Sequence, residues 1–127
     1  MNILITAAIP ADDGLSVSFH SSAGSGTGLW IGITPKIGDE LDVELDLEEI
    51  FSFGKNLMPS SRKTPSITVV NEVTHITAEL IQDEDGECAA LKFGNSIMLI
   101  ELDEPLTQKV GFVDVTVSRI RLYPTNI

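Results

Sequence analysis

The sequence predicts an all-β fold, mainly antiparallel, with at most one or two short helical turns. Three observations carry this. Apolar residues alternate with polar ones at period two in most ordered-looking segments. Clusters of glycine, proline, asparagine and aspartate separate those segments, and no extended stretch shows helical periodicity. The expected architecture is a small closed or partly open β-barrel, with a two-sheet β-sandwich as the alternative. The chain of 127 residues, 43% hydrophobic and 21% charged, fits a single domain over 1–127 that can build a core without disulfides or metal.

Residues 2–8 (NILITAA) and 15–20 (LSVSFH) read as strands joined by a turn over 10–14. The small, glycine-rich SSAGSGTG (21–28) reads as a flexible loop. A short strand over 28–34 carries the only tryptophan, Trp30, and 35–38 turns the chain into DELDVELDLEE (39–49). In that run Leu41, Val43, Leu45 and Leu47 share one face of a strand, and Glu40, Asp42, Glu44, Asp46 and Glu48 share the other. On a helix the aliphatic residues would step round by about 200° and form no single stripe. Just beyond, Asp46 with Glu49 fits a capping-box-like pattern and Gly54 suits a helix end, so a turn or two of helix containing Ile50 and Phe51 is expected. Residues 56–65, polar and holding two prolines, read as a mobile loop.

In the second half, 66–70 and 74–82 read as extended, 83–86 (DEDG) as a hairpin turn, and 87–93 as the returning strand. Gly94 and Asn95 signal another tight turn. Residues 96–102 (SIMLIEL) are apolar on both faces, which predicts a central strand covered on both sides. A loop over 103–109 leads to 111–117, where Val113, Val115 and Val117 point inward. The next apolar residues, Ile120 and Leu122, fall out of phase. An extra residue near Ser118 must restore the inward face through a bulge or sharp bend, the device by which a strand passes from one sheet to another or rounds a barrel corner.

Charge narrows the function classes. The formal net charge is −11, which repels nucleic acid and anionic lipid, and the one basic cluster, Lys55, Arg62 and Lys63, is small. No nucleic-acid or membrane partner is expected. No apolar run approaches the roughly 20 residues of a membrane helix. The first basic residue is Lys36, so the N-terminal apolar run lacks the positive flank of a secretory signal. With Cys88 the only cysteine, a cytoplasmic location is expected.

No motif rises to a catalytic or ligand-binding signature. Carboxylates at i and i+2 of a strand lie about 6.5–7 Å apart and diverge, whereas calcium needs six to eight converging oxygens. The acidic face therefore reads as a solvated surface or as a patch for a basic protein, not as a metal site. Five like charges repel one another unless cations from neighbouring strands offset them. DEDGE (83–87) lacks the spacing of a calcium loop, and GSGTG (24–28) precedes a strand and has no phosphate-binding lysine. His20 and His75 lie far apart in sequence, with no second ligand at metal spacing and no G-x-S-x-G elbow. Cys88 sits among acidic and aliphatic residues and reads as a small packing residue.

These readings predict a non-enzymatic protein without cofactor. The first expectation is a small acidic interaction protein of the inhibitor or immunity type. It would bind a basic protein partner through Glu40, Asp42, Glu44, Asp46 and Glu48, with Trp30 as an aromatic anchor if exposed. A small-molecule-binding barrel and a homo-oligomeric structural protein, associating through a sheet edge or the segment ending at Ile127, are the alternatives. An enzyme built on His20 or His75 ranks last.

Overall fold

The computed structural model describes residues 1–82, 88–105 and 111–125. Among the described residues twelve strands follow one another: β1 (Asn2–Ala11), β2 (Gly14–Ser21), β3 (Gly24–Trp30), β4 (Glu40–Leu47), β5 (Ile50–Phe51), β6 (Leu57–Pro59), β7 (Ser66–Val70), β8 (Val73–Gln82), β9 (Ala89–Phe93), β10 (Ser96–Leu102), β11 (Phe112–Val117) and β12 (Ile120–Pro124). No helix occurs among the described residues, so none there is long and apolar enough to cross a membrane.

The strands β12, β4, β1, β2 and β3 are neighbours in that order. A parallel pairing of β12 with β3, Arg121 opposite Leu29 and Leu122 opposite Trp30, joins the two ends. The result is a closed five-stranded mixed barrel, with the remaining strands outside it. The outer sheet leaves the barrel at one parallel bridge between Gly24 and Ile67 and continues through β7, β8, β9, β10 and β5. On its other edge β8 pairs with β11, which in turn pairs with β6.

Alternation explains the core. Ile3, Ile5, Val17, Phe19, Val43, Leu45 and Leu122 fill the barrel side, and Phe51, Leu57, Ile76, Leu91, Val113 and Val115 fill the space under the outer sheet. Together they belong to one continuous buried cluster. The phase slip after Val117 is a bend at Ser118 and Arg119. Val117 and Ile120 are both buried, and the bend transfers the chain from β8, the partner of β11, to β4 and β3, the partners of β12.

Four local expectations are corrected. The glycine-rich stretch is mostly the barrel strand β3, not a loop. Gly26 and Gly28 are buried where neighbours crowd the strand: a Cβ on Gly26 would lie 2.7 Å from Phe19 Cζ, and one on Gly28 2.9 Å from the Ile120 carbonyl oxygen. Glycine here allows close approach and not flexibility. The expected helix around Ile50 is absent. Phe51 is fully buried and pairs in parallel with Leu102, and Asn56 holds the turn that follows by accepting from Ser52 N at 2.7 Å and donating to the Ile50 carbonyl at 3.1 Å. A one-turn helix gains too few hydrogen bonds to outweigh such pairing. The expected loop over 56–65 contains β6, anchored by the fully buried Leu57.

The fourth correction concerns β10. It is not covered on both faces: Ile97 is 63% and Leu99 78% exposed, while Met98 between them is buried. The expected hairpin turn over 83–86 lies outside the described residues, as do Ile127 and most of the 103–109 loop, 106–109. The strands flanking that hairpin turn do pair antiparallel, Gln82 opposite Ala89.

Candidate functional site

The acidic face is built by β4, whose inward Val43, Leu45 and Leu47 are buried and whose outward Glu40, Asp42, Glu44 and Asp46 are exposed, with Glu48 half-buried. Its repulsion is offset at Asp42 and around Arg121. The Met1 amine lies 3.0 Å from Asp42 Oδ1, and the Thr125 hydroxyl donates to Asp42 Oδ2 at 3.2 Å. The amine, first by hydrogen bond and then by charge, holds the Asp42 carboxyl below the usual carboxylate range, and Thr125 adds to this. Arg121 of β12 forms an ion pair with Glu48. Its neighbour Tyr123, by hydrogen bond, and the charges of Glu48 and Asp46 raise the guanidinium pKa further. Glu40 and Glu44 have no ion-pair partner among the described residues, whereas Asp46 lies opposite Arg121 in the β4–β12 ladder and shares its charge.

β10 runs beside β4 in the same direction. One groove of about 430 Å³ has Asp42 and Glu44 on one wall and Ile97 and Met98 on the other. A second, of about 560 Å³, sets Asp46, Glu48 and Glu49 against Leu99, Ile100 and Glu101. The exposed apolar surface extends from β10 across the sheet, because Leu99 lies opposite Ala90 and Ala90 opposite Ile81. A carboxylate ridge thus borders an exposed aliphatic strand along its length. That arrangement offers long-range attraction for cations and a short-range apolar contact in the same place.

Trp30 does not belong to this surface. It is only 6% exposed, and its indole N–H donates to the Ile33 carbonyl at 2.7 Å, so the ring is part of the barrel core and no anchor. The exposed aliphatic residues that the sequence reading missed are Ile97 and Leu99. A run that is apolar on both faces looks the same in sequence whether both faces are covered or one is bare, so period alone carried no signal for them.

The remaining candidates stay apart. His20 Nδ1 and the Ser25 hydroxyl are 2.9 Å from each other on an exposed face, with no carboxylate bonded to either among the described residues. His75 lies on β8, separated from β2 by β3 and β7, a distance of about 14 Å across the sheet. Among the described residues no three His, Cys, Asp or Glu side chains gather as a metal site. Cys88 is exposed just before β9, not a packing residue. Compared with known protein families, curated proteins and solved structures, the chain matches none.

Proposed function

We propose that this chain is a non-enzymatic interaction protein, of the inhibitor or immunity type, that binds a basic protein partner through the seam between β4 and β10. The observation that supports the reading is that carboxylates and bare aliphatic side chains line the same grooves: Glu44 with Ile97 in one, Asp46 with Leu99 in the other. The net charge of −11 steers a cationic protein toward the molecule, and the unpaired carboxylates orient it over the seam. Ile97 and Leu99 then supply the desolvated centre that slows dissociation. A barrel interior occupied by Ile5, Val17, Phe19 and Val43 leaves the chemistry of recognition to the outer surface.

The test combines kinetics with charge reversal. A partner recovered at low ionic strength should associate at least tenfold more slowly when salt is raised from about 0.05 M to about 0.5 M, because screening shortens the reach of the ridge. The Glu40→Lys, Glu44→Lys double variant, at two carboxylates without an ion-pair partner among the described residues, should lose the same partner while keeping its thermal stability. Association at a salt-independent rate, or undiminished binding by the double variant, would overturn the reading.

A further inference from the structure

A further cleft lies where the barrel and the outer sheet part, and it shares only Glu48 with the seam. β7 is joined to β3 only at Ile67 and Gly24, and β12 pairs with β3 only from Leu29 onward. Between those points Thr27 has no ladder partner on the side away from β2, and Val69 has none on the side away from β8. The strands splay there around a cleft of about 520 Å³, which Thr27 and Val69 both line. Small-ligand sites commonly span roughly 300–1,000 Å³.

Three turns of the chain bring charge to this cleft. The tip of the β1–β2 hairpin carries Asp13, the tip of the β7–β8 hairpin carries Glu72, and the bend between β11 and β12 carries Arg119. None of the three has an ion-pair partner among the described residues. Arg121, also at the cleft, is already paired with Glu48. Backbone geometry fixes the two tips. Only Asp12 and Asp13 separate β1 from β2, and only Asn71 and Glu72 separate β7 from β8. Asn71 and Glu72 hold φ at 52° and 67°, the twist that suits a tight two-residue hairpin.

Charge selects among ligands for such a cleft. A polyanion such as a nucleotide would meet Asp13 and Glu72 as well as the net charge of −11. A ligand with positive charge alone would leave Arg119 unpaired. A molecule with one charge of each sign satisfies both kinds of group. Thr27 and Val69 add backbone amide donors and acceptors without ladder partners, and Leu29 and Ile120 add apolar lining.

We infer that the cleft binds short peptides with free ends. The peptide carboxylate pairs with Arg119, whose planar guanidinium matches a carboxylate with two parallel hydrogen bonds. The ammonium end turns toward Asp13 or Glu72, and the peptide amides toward the backbone of Thr27 and Val69. Aliphatic side chains of the peptide cover Leu29 and Val69. The site does not rest on the basic-partner reading, and either can fail while the other stands.

The probe is a random tripeptide library in three forms: with free ends, amidated at the carboxyl end, and acetylated at the amino end. Peptides retained by the protein in equilibrium dialysis are quantified by mass spectrometry. Free-ended peptides should be retained at least about tenfold over amidated ones, the size expected for one charge-assisted contact. Acetylated peptides should also be retained less than free-ended ones. Arg119→Gln should remove the preference for a free carboxyl end, and Asp13→Asn with Glu72→Gln the preference for a free amino end. All three positions are exposed, so the melting temperature should stay unchanged. Retention of no form, equal retention of the amidated form, or a preference that survives Arg119→Gln would overturn the inference. Glu40→Lys, Glu44→Lys should leave retention as it is; a loss there would mean that overall charge, not the cleft, holds the peptides, and would overturn it too.

Discussion

Because β12 pairs with β4 on one side and β3 on the other, the barrel closes on itself, whereas the outer sheet ends in the two-residue β5 and leaves residues 96–100 of β10 paired on one side. Both regions use the same alternation of inward and outward residues. In the barrel the outward positions of β4 are carboxylates; in the outer sheet the outward positions of β10 are Ile97 and Leu99. Alternation thus specifies a core but leaves the outer face free for other uses. One region spends its outer face on charge, the other on apolar surface, and the two meet along one line.

Opening the closed region should have the largest effect. Leu122→Ala removes a fully buried side chain from the strand that closes the barrel, and should lower unfolding stability by about 3 kcal/mol in denaturant titration. Gly26→Val places bulk against Phe19 and should cost about 2 kcal/mol by the same measurement. A smaller loss would mean that β3 moves outward at little cost. In the open region Leu99→Thr should change stability by less than about 0.5 kcal/mol, because the side chain is already 78% exposed. Under the proposed function its effect should appear instead as faster dissociation of a basic partner. A Leu99→Thr loss as large as that of Leu122→Ala would show that the outer face of β10 is covered.

The smallest effect concerns pH. The carboxyl of Asp42 titrates lower in the folded chain than in the unfolded one, so its contribution to stability is present above the unfolded pKa and is lost as pH falls through the folded value. Acid unfolding of Asp42→Asn should accordingly be shifted less by pH in the carboxylate range than that of the parent chain, when followed by tryptophan fluorescence.

How much of this was legible in the sequence differs from strand to strand. The two faces of β4 were read residue by residue, since period two is a local property of an extended chain. The bend near Ser118 was legible for the same reason, as a break in that period. β3 was misread because glycine signals freedom locally, while its use at Gly26 depends on Phe19 of the neighbouring strand. Ile50 and Phe51 were misread because weak helix signals yielded to pairing with β10. Half of the candidate site was therefore visible: the acidic wall, but not the apolar one, and the proposed anchor Trp30 was in the core.

The order of residues determined that the chain is built of strands, which side chains of β4 share a face, and that the molecule carries a strong negative charge. Those properties follow from neighbours one or two positions away and from simple counting. Only the tertiary structure decided that β12 closes the barrel against β3, that Trp30 is covered, and that a bare aliphatic strand lies beside the carboxylates. Each depends on which distant segments become neighbours in the sheet, and that choice is made by the packing of the whole core.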